Sequence, residues 1–313
     1  MTFSSALVTG GSGFIGSALV RALTEAGVAV TCLVRGDAPA PPGCSVLRVP
    51  SLSQAGAVDP GDRRVDVVFH LAAYGVAPEQ RSPEAMFDAN VAGTRAMVEL
   101  SRRMGARAFV YSGSCSEYAD CGPAGQGVRL REEAPLTATA LYGASKAAGG
   151  LVGQSMAASA GLAFQWLRLF GVYGPGEGPN RLIPYILRRL SAGETVDLTP
   201  GEQMRDMLFI GDVVEGLIAA AEAALQGRLG PMNLCSGQAT SIRSVAEEVA
   251  AALGCRPDRF NFGARPYRPD DIMWMVGDNG RFVASTAWRP KVGLKDGIRE
   301  TIAAFHAHGS ALR

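Results

Sequence analysis

Histidine is scarce, with three in 313 residues, and none of the six cysteines falls into a CxxC pair. Cysteines at 32, 44, 115, 121, 235 and 255 are scattered, so the chain has neither the ligand spacing of a zinc site nor a disulfide framework. Free thiols and a cytoplasmic location are the expectation. Long apolar runs are missing too. "VDVVFHLAAYGVA" is interrupted well before the ~18 apolar residues a spanning helix needs, and "MTFSSALVTGG" has no basic n-region, so neither membrane span nor signal peptide is expected. Net charge of one sign is absent: 30 Lys and Arg against 29 Asp and Glu leave +1. No bulk attraction to nucleic acid or to a membrane follows.

What is present is hydrophobic content of 47%, enough for one large core or two lobes. No internal repeat or low-complexity tract interrupts it. "SALVTG" reads as a strand, "FIGSALVRALTEAG" as a helix closed by Gly27, and "VAVTCLV" and "VDVVFHLA" as strands. A helix around "EAMFDANVAGTRAMVELSRRMG", the strand "ARAFVYSG", a helix from about Tyr142 to Ala160 and the strand "AFQWLRLF" follow. Such alternation predicts an α/β fold with a doubly wound parallel sheet. "GDAPAPPG" at 36–43 reads as a surface loop.

After Phe170 the texture changes to the Gly/Pro-rich "GVYGPGEGPN", a helix at about 181–192 and a short strand "TVDLT". "MLFIGDVVEGLIAAAEAAL" and "GPMNLCS" then return to the sheet. The expected organisation is a dinucleotide-binding domain over 1–170, completed by about 206–240. Residues 171–205 and 241–313 form a smaller, mixed α/β substrate-binding lobe.

"LVTGGSGFIGSAL" places glycines between the first strand and the first helix. There a chain must turn tightly, admit a pyrophosphate to its backbone and pack helix on strand. Gly10, Gly13, Phe14, Ile15 and Gly16 are the candidate cofactor-binding residues of this turn. An acid usually ends the second strand to hold the ribose 2′-hydroxyl of NAD; here Val34 and Arg35 stand in "VAVTCLVRGD". A guanidinium suits a 2′-phosphate, so NADP is expected. The alternative is NAD held by Asp37 from a shifted register, with Arg35 a solvated loop residue.

"TGGSGFIG", "FHLAA", "NVAGT", "YGASK", "VYGPG", "RDMLFIGDVV" and "NLCSG" occur in an order that resembles the extended short-chain dehydrogenase/reductases acting on nucleotide-diphosphate sugars. The likeness runs from about Leu7 to "STAWRPKVGLKDGIRETI". It implies a Rossmann fold, a nucleotide-diphosphate sugar as partner and a homodimer formed by helices around 90–104 and 142–160, although amphipathic helices also simply cover a sheet.

"LYGASK" puts Tyr142 and Lys146 four residues apart on one helix face. An ammonium near the phenol, helped by the positive nicotinamide of an oxidised cofactor, is expected to pull the phenol pKa down toward the working range. Ser114, at the end of "ARAFVYSG", matches the family's catalytic Ser/Thr, which hydrogen-bonds the reacting oxygen. A serine or cysteine nucleophile would need a histidine partner, and no motif aims His70, His306 or His308 at Ser114. Lys146 also counts among the cofactor-binding residues implied, with Leu71, Ala72 and Ala73 lining the channel and Asn90 of "NVAGT" bracing the sheet edge. Leu71 to Ala73 read equally as core, and Asn90 as a helix-turn cap.

On the substrate side the resemblance implies Cys115, Ser116, Arg205 and Arg268, with the two arginines clamping a pyrophosphate across the cleft. Family members commonly read "FNVYGP"; here Gly171 replaces the asparagine. Members that carry out 4,6-dehydration have Asp-Glu directly after the catalytic Ser/Thr, where this chain has Cys115 and Ser116. Glu117 is one place further and, if the strand continues, points to the opposite face. A 4-ketoreductase using NADPH, with Tyr142 as proton donor, fits these residues. The alternatives are an NAD-dependent 4-epimerase, an atypical dehydratase using Cys115 as acid, and a cofactor-binding regulator without turnover.

Overall fold

The computed structural model describes residues 1–77, 79–118, 127–227, 230–268 and 271–309; Cys121 lies outside them. Ten elements lead to the site: β1 (Ser5–Thr9), α1 (Phe14–Glu25), β2 (Ala29–Arg35), β3 (Ser45–Val49), β4 (Val67–His70), α2 (Pro83–Phe87), α3 (Gly93–Arg103), β5 (Ala108–Ser114), α4 (Leu141–Ser159) and β6 (Ala163–Leu169). There follow β7 (Gly171–Tyr173), α5 (Leu182–Ser191), β8 (Val196–Leu198), β9 (Met204–Arg205), β10 (Met207–Phe209), α6 (Ile210–Leu225) and β11 (Gly230–Leu234). The last are β12 (Thr240–Ser241), α7 (Ile242–Ala252), β13 (Phe260–Phe262), β14 (Trp274–Met275), α8 (Gly280–Thr286) and α9 (Leu294–Gly309).

Seven strands form one sheet in the order β11-β6-β5-β4-β1-β2-β3, and all its pairs are parallel. This is the doubly wound Rossmann sheet expected from the alternation of patterns. Successive side chains leave a strand on opposite faces. Ala6 and Val8 therefore join one core with residues of α1 and α6, while Leu7 joins the other with Ala96, Met97 and Leu100 of α3. Both faces being covered explains why these strands read as near-continuous apolar runs.

Three local readings change. Ser45–Val49 is a strand that extends the sheet past β2, although its alternating "SVLRV" was hidden behind a Pro/Gly loop. Met207–Phe209 does not enter the main sheet; it pairs with β7 in a two-stranded sheet, and Gly171 N–H donates to Asp206 O at 3.0 Å. The helix expected through "EAMFDANVAGT" is broken by a π-helical turn at Asp88–Ala92. Asn90 of that turn is fully buried.

Smaller sheets gather the remaining strands: β12-β9-β14, β13-β8 and β10-β7. Among the described residues, no helix is long and apolar enough to cross a membrane.

Candidate active site

The glycine turn lies at the carboxyl ends of β1 and β4, where a parallel sheet presents its ligands. Gly10 has φ +70°, and a Cβ on it would stand 2.8 Å from Ala72 N. At Gly16 a Cβ would stand 2.0 Å from Gly10 O, so α1 could not pack so close with any side chain there. The N-terminus of α1 has no side-chain cap on Gly13 and no acid in its first turn, which leaves its amides and dipole to an anion. Phe14 and Ile15 are half-buried behind the turn. Leu71, Ala72 and Ala73 follow β4 directly against it, and Ala72 N–H donates to Thr9 Oγ1 at 3.1 Å.

Arg35 stands exposed at the end of β2, open to a ligand on the outer side of the turn. The sequence reading missed Arg48 of β3, which donates to the carbonyls of Gly36 and Ala38 and so fixes the loop beyond Arg35. Its signal was lost because β3 was not recognised.

Ser114 ends β5, and its backbone turns at once into a short 3₁₀ turn over Cys115–Glu117. Ser116 N–H donates to Ser114 Oγ at 3.1 Å. One lone pair is thereby occupied, while the hydroxyl proton stays free to donate. Helix α4 reaches this turn because residue 143 is glycine: a Cβ there would meet Ser116 O at 1.8 Å. Tyr142 and Lys146 are thus carried to the end of β5.

Lys146 is 1% exposed, and its Nζ has no hydrogen-bond partner; it lies 4.3 Å from the Tyr111 ring centroid. Burial pulls the ammonium down to about 8, with Glu117 opposing. A buried, unsatisfied cation is expensive, and it fits the hydroxyls of a nicotinamide ribose beside the glycine turn. Those two features, orphan ammonium and glycine cradle, fit a nicotinamide dinucleotide.

The Tyr142 phenol is held above its ordinary value. Burial is the main cause and the Cys115 and Glu117 groups add to it, while the Ser114 hydroxyl and the Arg181 charge oppose. The protein's own groups therefore raise this phenol rather than lower it.

Asn90, fully buried, accepts from Tyr74 N–H at 2.9 Å and donates to Tyr74 O at 2.8 Å and Ser145 Oγ at 2.9 Å. It ties the segment after β4 to α4, a bracing role. His70 bridges Thr9 Oγ1 at 2.9 Å and Thr94 Oγ1 at 3.2 Å, and burial drives its imidazole down to about 3. It is a neutral core histidine, so a Ser-His pair at Ser114 is not formed.

Cys115 is pushed up to about 12, mainly by burial, which makes it a poor proton donor. The Arg205 charge opposes that rise, so β9 brings Arg205 near the Ser114 turn. Arg268 stands exposed on a different segment, whose turn Asp271 closes at 3.0 Å.

Glu117 does not follow the strand alternation expected of it, because the strand stops at Ser114. It folds back, fully buried, onto Arg168 at 2.9 Å. Gly171 also has a local reason, since a Cβ there would meet Asp206 O at 2.7 Å; an asparagine would displace that backbone. Asp206, unnoticed in the sequence, accepts from Ser236 N–H at 2.7 Å and Gly237 N–H at 2.9 Å, locking the segment beside Arg205.

The NAD dependent epimerase/dehydratase family model matches residues 6–235. The chain belongs to this family. UDP-glucose 4-epimerase of Mycolicibacterium smegmatis is 30% identical over 96% of this chain and 97% of its own. dTDP-glucose 4,6-dehydratase of Streptomyces griseus is 29% identical over 97% and 94%. Among solved structures, MoeE5 in complex with UDP-glucose and NAD is 28% identical, with a TM-score of 0.84 over 97% of this chain and 99% of that one.

Glu177 is a further residue that escaped the sequence reading. It sits in the Gly/Pro-rich loop after β7, with Oε2 buried and without a partner. Burial lifts its carboxyl to about 7, opposed by Arg181, whose Nε lies 3.5 Å from Oε1. Nothing but its place in a "VYGPG" loop marked it.

Proposed function

We propose that this family member reduces a 4-keto, 6-deoxy nucleotide-diphosphate hexose at C4 with NADPH. The observation that carries the reading is Tyr142 brought by Gly143 against the Ser114 turn at the carboxyl end of β5, its phenol raised chiefly by burial. A reductase must begin with a proton donor at the carbonyl oxygen, whereas oxidation of a sugar hydroxyl must begin with a base. When bound, the nicotinamide dinucleotide supplies the hydride. Ser114 donates a hydrogen bond to the carbonyl oxygen, Tyr142 gives its proton to the developing alkoxide, and Lys146 holds the ribose while its charge stabilises the phenolate left behind.

Arg35, exposed at the end of β2, supports a 2′-phosphate and hence NADP over NAD. Arg205 and Arg268 supply guanidinium charge to the diphosphate, with Cys115 and Ser116 against the sugar. The turn after Ser114 lacks the Asp-Glu pair of a dehydratase, and Cys115, with its raised pKa, does not replace it. We further infer a homodimer, a cytoplasmic setting, and a division into the sheet domain and substrate lobe outlined from the sequence.

The second reading, an NAD-dependent 4-epimerase, is favoured by the similarity to UDP-glucose 4-epimerase. The test is to titrate NADPH and NADH separately, then follow nicotinamide absorbance with dTDP- and UDP-4-keto-6-deoxyglucose. Stoichiometric NADPH oxidation is expected, with Tyr142→Phe slower by about 10²–10⁴-fold and still binding NADPH. Tightly held NAD together with inversion at C4 of UDP-glucose would establish the epimerase instead.

A further inference from the structure

Glu117 is fully buried against the Ser114 amide, yet the reduction outlined above gives it no part. Burying an ion pair costs desolvation that its attraction repays only with additional hydrogen bonds. Glu117 has them. Oε1 accepts from Ser114 N–H at 2.8 Å and from Trp166 Nε1 at 3.4 Å, and Oε2 accepts from Arg168 Nε at 2.9 Å. The fold makes room for this return: a Cβ on Gly113 would stand 2.5 Å from both Glu117 Oε1 and Trp166 Nε1.

Arg168 carries the arrangement onward. Its Nη1 donates to Tyr118 Oη at 2.8 Å and Glu132 O at 3.1 Å. Tyr118 Oη donates to Asn233 Oδ1 at 2.7 Å, and Asn233 Nδ2 donates to Leu130 O at 2.8 Å. A bridge joins Leu130 to Gly277, whose N–H donates to Asp206 Oδ2 at 3.3 Å beside Arg205. Hydrogen bonds and the backbone between them thus connect the Ser114 amide to Asp206, the residue after the strand that holds Arg205.

We propose that Glu117, clamped by Arg168, is the positioning residue of this site: it fixes the Ser114 turn against Tyr142 and sets a buried carboxylate among Tyr142, Lys146 and Arg168. The inference rests on the reading of Ser114, Tyr142 and Lys146 as the reacting machinery. Charge and geometry act in the same direction. The groups facing Glu117 are Arg168 of β6, Tyr111 of β5, Lys146 and Tyr142 of α4, and Cys115 of its own turn. Burial is the first cause at all four, raising Tyr111, Cys115 and Tyr142 and lowering Lys146, and the Glu117 charge acts upward on each. Burial raises the carboxyl of Glu117 itself, and the Arg168 charge and the Ser114 N–H oppose that rise; Arg181 opposes Glu117 at Tyr142.

The test uses Glu117→Gln, which keeps the shape and removes the charge, assayed in the full chain with NADPH and whichever of the two 4-keto-6-deoxyglucose nucleotides turns over. A tenfold or greater fall in kcat is expected, with KM and the NADPH Kd within about threefold and the alkaline limb of the kcat profile moved to lower pH. A merely structural carboxylate would not move that limb. Because the variant leaves Arg168 buried and unpaired, Glu117→Gln/Arg168→Met is made alongside it. This double variant is expected to recover thermal stability while kcat stays low and the limb stays shifted. Recovery of wild-type kcat and pH profile in either variant overturns the proposal. Failure of both to fold assigns the pair to stability alone and overturns it too. If wild type turns over neither nucleotide, the reduction itself is refuted; if wild type turns over and Tyr142→Phe does not, an unchanged Glu117→Gln refutes only the positioning role.

Discussion

At Tyr142 and Lys146, two side chains on one helical face meet different surroundings. Both phenol and ammonium lose water, and burial disfavours the charged form of each. The tyrosine rises and the lysine falls to about 8, so their i, i+4 spacing alone did not tell their protonation. His70 obeys the same rule. Its imidazole is fully buried and drops from 6.5 to about 3, burial being the larger cause and the Lys146 charge the smaller. Between those values the unfolded chain binds a proton that the folded chain refuses. The stability this group contributes is whole above pH 6.5 and is lost as the pH falls toward about 3. Thermal unfolding of wild type should weaken across that window, and His70→Gln should show a shallower dependence while being less stable at pH 7 by roughly 1–3 kcal/mol. Identical pH dependence in the two proteins would remove His70 from the account.

Elements fit together here through backbone contacts that a sequence motif hides. The glycine of "YGASK" was read only as spacing between Tyr142 and Lys146. In the structure it is the point at which α4 touches the carbonyl of Ser116, with no room for a Cβ. Gly143→Ala should push the helix away from the Ser114 turn, costing about 1–3 kcal/mol of stability and lowering kcat more than it raises KM. Circular dichroism melts and steady-state rates would check both. The break at Asp88–Ala92 follows the same logic: a regular helix was expected, but Asn90 satisfies the backbone of Tyr74. Tertiary hydrogen bonds outweigh local periodicity at that turn.

For the whole molecule, helix α4 has one face on the sheet and another in water. Leu151 is 58% exposed on it, and Leu141 at its start and Phe87 on α2 are exposed as well. Exposed apolar groups on a helix that also carries the site suit the homodimer inferred above. Sedimentation should report a dimer for wild type and a monomer for Leu151→Glu, with NADPH binding retained. A monomeric wild type at micromolar concentration would end that inference.

Much of the architecture was legible because it depends on patterns that act locally. The Gly10–Gly13–Gly16 turn, the apolar strands with amphipathic helices between them, and Ser114 at a strand end are consequences of covalent geometry and burial period. The sequence by itself determined the doubly wound sheet and which residues lie at its carboxyl edge. Only tertiary structure decided that Met207–Phe209 leaves that sheet, that Glu117 turns back onto Arg168, and that burial lifts the Tyr142 phenol. Each of these depends on atoms far apart in the chain, whose desolvation and pairing have no signature in spacing.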